Sequence, residues 1–220
     1  MKTVLVNNSI EASSVCIDLI NKELNKASKR LNIALTGGRF GKYFADELTK
    51  SNIILEKLRF FQTDERLVRF SDQDCIQKML LHNLVKFTNL EHCFFDLNMS
   101  ATASALNMNK NIDRLKLDKL DIAMMSLGED GHLAGNFPKS KKISDKITYI
   151  NDSPKPPPKR ISFSVEWLAK SHLVIIVALG NDKDEAVRDL VSANNPFSTY
   201  IEGSRNLFII TDQRSSVNIY

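Results

Sequence analysis

Apolar runs that recur along the chain, each too long-buried on both sides to be a half-exposed strand, restrict this sequence more than any other feature. Residues 31–35 (LNIAL), 58–62 (LRFFQ), 120–127 (LDIAMMSL) and 173–179 (LVIIVAL) are apolar with little alternation. Strands of this kind belong to a sheet covered on both faces, which in practice is a parallel one. The segments between them carry helical periodicity. In residues 10–28, Ile17, Ile20 and Leu24 fall at i, i+3 and i+7, with Val15 and Leu19 four apart beside them. Residues 40–48, 74–84, 102–115 and the stretch from Lys183 to about Ser192 also read as helices, and residues 3–6, 93–95, 162–165 and 207–210 as shorter strands. Alternation of this sort predicts an α/β fold: three layers, a mainly parallel Rossmann-like sheet with helices on both faces.

The chain has 220 residues, 43% of them hydrophobic and 25% charged, a globular composition that excludes a disordered or low-complexity protein. Residues 1–220 are expected to form a single domain, since no Gly/Ser-rich linker or internal repeat divides them and the prolines at 154–158 make only a stiff loop. Lys and Arg total 30 against 26 Asp and Glu, a net charge of +4. That surplus suits a small anionic ligand, and its short cationic runs, such as Lys139, Lys141 and Lys142, form no stripe for a nucleic acid, so none is expected as partner. The start, MKTVLVNNSIEASS, lacks the apolar core of a signal peptide, and no apolar run reaches the ~18 residues of a membrane helix. The expectation is a cytoplasmic protein with no membrane partner, a monomer or small homo-oligomer, with Cys16, Cys75 and Cys93 as reduced thiols.

In parallel α/β sheets, ligands bind beyond the carboxyl ends of the strands. Polar or glycine-rich sequence follows each long strand here: Thr36-Gly37-Gly38, Asp64-Glu65-Arg66, Gly128-Glu129-Asp130-Gly131-His132 and Gly180 to Lys183. Thr36-Gly37-Gly38 precedes a helix, where free N–H groups favour phosphate, although by itself it reads as an ordinary βα turn. Asp64-Glu65-Arg66 by itself reads as a surface salt bridge. His132, in a turn with two glycines after a buried strand, is placed for proton transfer near neutral pH, with Asp130 able to hold its ring. The other reading of His132 is a loop histidine satisfied by backbone, and His82, His92 and His172 are assigned structural roles. Ser153 to Arg160 (SPKPPPKR) ends a rigid loop in two cations, and Lys183 stands at a helix start; the plain alternative for both is a solvated basic surface. Neither HxH nor HExxH spacing occurs, so no metal is expected, and without a Walker or GxGxxG loop no nucleotide cofactor is expected either.

Five of these segments, in order, resemble the 6-phosphogluconolactonase family. Residues 128–138 (GEDGHLAGNFP) are similar to its GxDGHxAxxFP signature, and SPKPPPKR followed by Ile161-Ser162 to its proline loop. Phe60 to Arg66 (FFQTDER) resembles its FFxxDER, Thr36-Gly37-Gly38 its SGG, and Gly180 to Ala186 its GxxKxEA stretch. The sequence departs from the pattern at Arg39-Phe40, Asp74-Cys75 and Gly135-Asn136, and its last strand lacks the usual Trp. The resemblance implies hydrolysis of 6-phospho-D-glucono-1,5-lactone without a cofactor. It implies His132 as general base, Asp130 and Asp64 as orienters of the imidazole or the water, and Arg66 as oxyanion stabiliser. Gly37, Gly38, Arg160 and Lys183 are then the phosphate ligands. The related glucosamine-6-phosphate deaminases carry a Glu in GHxxFNEP where this chain has Phe137, and DEY where it has DER. Such a deaminase or isomerase, or a non-catalytic sugar-phosphate sensor, is the alternative. Sensors of that kind usually add a DNA-binding helix-turn-helix, for which there is no pattern before Thr36.

Overall fold

The computed structural model describes residues 1–84, 90–139 and 146–214. Lys141 and Lys142 of the short basic run lie outside the described residues. The strands are β1 (Lys2–Leu5), β2 (Leu31–Leu35), β3 (Leu58–Gln62), β4 (Asp64–Arg66), β5 (Glu91–His92), β6 (Ile122–Ser126), β7 (Ile147–Ile150), β8 (Arg160–Phe163), β9 (Leu173–Ala178) and β10 (Leu207–Thr211). The helices are α1 (Ser9–Lys26), α2 (Gly38–Lys50), α3 (Ile76–Leu84), α4 (Ala101–Arg114), α5 (Val165–Ala169), α6 (Asp184–Val191) and α7 (Ser198–Glu202).

Seven strands form one sheet in the order β1-β10-β9-β6-β2-β3-β5, every pairing parallel. Successive residues of its central strands feed opposite layers. Ile33 and Leu35 of β2 pack with Phe44 and Leu48 of α2, Ile20 of α1 and Leu80 of α3. Ala34, with Phe61 of β3 and Met125 of β6, packs with Met108 of α4, Trp167 of α5 and Val187 of α6. The expected three layers with helices on both faces are present, because strands apolar on both sides need cover on both sides. No helix among the described residues is long and apolar enough to cross a membrane.

Two parts of the architecture differ from the sequence expectation. Asp64–Arg66 is a strand rather than a turn, and residues 160–163 are not in the parallel sheet. Together with β7 they make a second, antiparallel sheet of order β4-β8-β7. The expected strand at 93–95 is displaced to β5, and the short elements β7, α5 and α7 were not anticipated. Thr63 joins the two sheets. Its N–H donates to Leu35 O at 3.0 Å, and its carbonyl accepts the Phe163 N–H at 2.9 Å. Phe163 packs against the joint, with ring centroids 5.3 Å from Phe95 and 4.6 Å from Trp167. The small sheet therefore stands at the carboxyl ends of β2 and β3.

Candidate active site

The sheet order makes β3, β2, β6 and β9 consecutive neighbours. Their polar carboxyl ends, scattered along the chain, meet in one cleft of about 160 Å³. Gly37, Gly38, Asp64, Arg66, His132, Arg160 and Lys183 all line it, and Asp130 stands directly behind His132. A larger cavity of about 810 Å³ at the β5 edge contains none of these side chains.

His132 sits in a tight turn after β6. The Gly128 N–H donates to His132 O at 2.8 Å and the Gly131 N–H to Gly128 O at 3.0 Å, which folds the ring back over Gly128. A Cβ on Gly128 would lie 2.0 Å from His132 Nδ1 and 2.7 Å from Asp130 Oδ1, so this position admits only glycine. The Nδ1 atom is 2.5 Å from Asp130 Oδ1, while Nε2 has no partner among the described residues. The side chain is 18% exposed. Burial holds the imidazole below its ordinary value, against the upward pull of the Asp130 hydrogen bond and of the Asp64 charge. Phe137 supports the ring, with centroids 4.8 Å apart, and the Arg160 guanidinium carbon lies 5.4 Å from the same Phe137 ring. His132 and Arg160 thus flank one aromatic residue, although 28 positions separate them in the chain.

The small sheet supplies the cationic wall. In its register Asp64 faces Ser162 and Arg66 faces Arg160 directly across β4 and β8. Like charges opposite one another in a ladder are destabilising unless an anion answers them. Neither arginine has an ion pair with a carboxylate among the described residues. Arg66 Nη1 donates to Asp74 O at 3.0 Å, and its Nε is buried without a hydrogen-bond partner. Arg160 is 4% exposed and donates to the carbonyls of Lys155, Pro156 and Pro157. Burial, and then the charge of Arg66, lowers its affinity for a proton. Among the described residues, the surface salt bridge that the Asp64-Glu65-Arg66 triplet suggested is absent. Asp64 is buried and accepts the Thr63 hydroxyl at 2.8 Å. Glu65, on the opposite face of β4, accepts the N–H groups of Arg66, Ile76 and Gln77 and so caps α3.

The remaining wall is the start of α2. Gly37 is its N-cap, with no side chain to satisfy the first N–H groups. Thr36 Oγ1 donates to Ser126 Oγ at 3.0 Å, tying the ends of β2 and β6 together beneath them. Lys183 is only 14% exposed at its side chain, with Nζ 3.8 Å from Glu129 Oε2, so it is held in the cleft rather than solvated. Lys155 of the proline loop was not singled out by sequence. Its Nζ is 2.7 Å from Glu129 Oε1 and 3.8 Å from Asp130 Oδ2, which staples that loop to the turn carrying His132. Its place within a run of prolines and cations was the only signal.

The family model described as glucosamine-6-phosphate isomerases/6-phosphogluconolactonase matches residues 8–207. The chain belongs to this family. A relative named 6-phosphogluconolactonase, from Borreliella burgdorferi, is 26% identical over 211 residues, 89% of this chain and 88% of the relative. The solved structure of 6-phosphogluconolactonase from Leishmania guyanensis superposes with a TM-score of 0.89 at 20% identity, covering 100% of this chain and 98% of that one. A monomeric glucosamine-6-phosphate deaminase superposes with a TM-score of 0.80 at 16% identity, covering 98% of each chain. Both activities of the glucosamine-6-phosphate isomerase/6-phosphogluconolactonase family therefore share this fold, and the site must separate them.

The departures from the family pattern now have places. Arg39 is exposed beside the α2 N-terminus and lines the cleft. Asp74 gives Arg66 only its backbone carbonyl, and Cys75 is buried with Sγ 3.8 Å from Glu65 Oε2. Asn136 bridges the His132 segment to the small sheet: its Nδ2 donates to Leu133 O at 3.2 Å and Phe163 O at 2.9 Å, and its Oδ1 accepts Thr148 Oγ1 at 3.2 Å.

Proposed function

We propose that this protein hydrolyses 6-phospho-D-glucono-1,5-lactone to 6-phospho-D-gluconate, the second step of the oxidative pentose phosphate pathway. The observation that carries the reading is the His132 ring. It is largely buried, bound through Nδ1 to Asp130 and, among the described residues, free at Nε2, in a cleft whose far wall holds two arginines without carboxylate partners among those residues.

Attack of water on a lactone carbonyl needs a base, an oxyanion stabiliser and orientation, and no cofactor. A water between Nε2 and the carbonyl carbon loses a proton to His132 as its oxygen bonds to that carbon. Negative charge develops on the carbonyl oxygen, and the uncommitted Nε–H of Arg66 is the donor suited to it. Collapse of the tetrahedral intermediate breaks the bond to the ring oxygen, which takes the proton back from the imidazolium. The products are a free hydroxyl and a carboxylic acid, which releases its proton to solvent to become the carboxylate. Asp130 holds the ring, and the Asp64 charge favours the imidazolium that forms transiently. The phosphate lies against the N–H groups at Gly37 and Gly38 with Arg160 and Lys183 around it, which keeps the carbonyl near His132.

Phe137 weighs against the deaminase reading. The resemblance places it where deaminases carry a glutamate, and here it is an apolar ring packed at a tilt against His132, with no proton to relay.

The test uses freshly prepared 6-phosphogluconolactone with spontaneous hydrolysis subtracted. The expected result is saturable acceleration, with no ammonia released from glucosamine 6-phosphate. Ammonia release without lactone hydrolysis would reverse the assignment. In the same assay Arg160→Ala or Lys183→Ala raises KM about tenfold or more, the loss of roughly 1.5–3 kcal/mol of charged hydrogen bonding. Neither changes the rate on unphosphorylated gluconolactone. An unaltered KM would remove that residue from the phosphate site.

A further inference from the structure

Asn195 lies in the turn between α6 and α7 and is 5% exposed. Both ends of its side-chain amide are committed. Nδ2 donates to Gly131 O at 3.0 Å, and Oδ1 accepts the Phe197 N–H at 2.9 Å. A backbone N–H can only donate, so the second bond settles which end of the amide faces Gly131. The Asn195 backbone is itself anchored, its N–H donating to Asp189 O of α6 at 3.1 Å.

The carbonyl that Asn195 holds belongs to the same peptide unit as the His132 N–H. That N–H faces Asp130 Oδ1 at 3.4 Å, the oxygen that also meets His132 Nδ1. One peptide plane is thus held at its carbonyl by Asn195 and at its N–H by Asp130. Gly131 has φ of +79°, in the left-handed region, and glycine has little intrinsic preference to keep it there. The Gly131 N–H bond to Gly128 O restrains one side of this residue, and Asn195, through the carbonyl it holds, restrains the other.

We infer that Asn195 is a positioning residue for the hydrolysis, holding the Gly131–His132 peptide so that Nδ1 stays on Asp130 and Nε2 stays the free base. This deepens the function proposed above and rests on His132 as its general base. The bond to Asp130 selects the Nδ1–H tautomer of the neutral ring. Free imidazole side chains prefer the other tautomer, in which Nε2 carries the proton and takes none from water.

The experiment compares wild type, Asn195→Asp and Asn195→Ala. The aspartate is nearly isosteric and still accepts from Phe197, but it sets an oxygen against the Gly131 carbonyl; the alanine keeps the test readable if that variant does not fold. The expected result is kcat lowered about 10- to 100-fold with KM unchanged, as for a misplaced catalytic group. Nitrogen-15 spectra of the His132 ring show the Nδ1–H tautomer in wild type and a mixture in the variants. In an Asp130→Asn background the added penalty of Asn195→Asp shrinks to about twofold, because the pair it protects is already broken. A folded variant that keeps the wild-type tautomer overturns the inference, whether or not kcat falls. Absence of lactone hydrolysis in the wild type would instead overturn the proposed function, and the tautomer comparison would still decide whether Asn195 sets the His132 ring.

Discussion

His132→Ala is expected to lower kcat about 10²- to 10⁴-fold, the usual contribution of a positioned general base. Binding of 6-phosphogluconate should stay near that of the wild type, because the alanine touches none of the groups assigned to the phosphate. The pH profile sharpens the assignment. Burial, the largest influence on the imidazole, keeps it below its ordinary value of about 6.5. Only the neutral ring takes a proton from water. Wild-type kcat/KM therefore stays level as pH falls through the usual imidazole range and drops at more acid pH, where His132 becomes charged. The residual rate of His132→Ala lacks this acid limb. Wild-type turnover in the variant would end the general-base role, and an unchanged acid limb would assign the titration to another group.

The largest effect on stability is expected from Phe163→Ala. Phe163 has no exposed surface and packs against Phe61, Phe95 and Trp167, with centroids 6.4, 5.3 and 4.6 Å away. Its backbone N–H bonds to Thr63, the residue that joins the two sheets. Truncation leaves a cavity between the sheets that neither can close alone, at a cost of about 3–5 kcal/mol. The midpoint of urea unfolding should fall with little change in its slope. A loss below about 1 kcal/mol would mean that the small sheet is not locked to the large one through this ring. Activity should fall as well, because Phe163 ends the strand that begins with Arg160.

The site was legible where chemistry lay in short segments. The turn from Gly128 to His132 contains the imidazole, the carboxylate bonded to it and the glycine that makes room for the ring. Residues whose role is set by a distant partner were not legible. Arg66 and Arg160 are each ordinary surface candidates in the chain, and only the β4–β8 register puts them face to face. Lys155, Asn136 and Asn195 act on segments 26, 27 and 64 positions away, through hydrogen bonds or ion pairs that leave no local pattern. The second sheet is not legible in the sequence for a related reason. Its strands are three or four residues long, too short for a period to develop, and their pairing is decided by partners far along the chain.

The order of apolar runs and helical periods determined the layers, because a strand apolar on both faces must be covered on both, whatever lies beyond it. Motif order likewise determined which chemical groups were available. Tertiary structure alone decided that these groups meet. Placing β3, β2, β6 and β9 side by side is a matter of which strands pair, a long-range choice that local sequence does not encode, and it is this choice that turns four separate strand ends into one cleft.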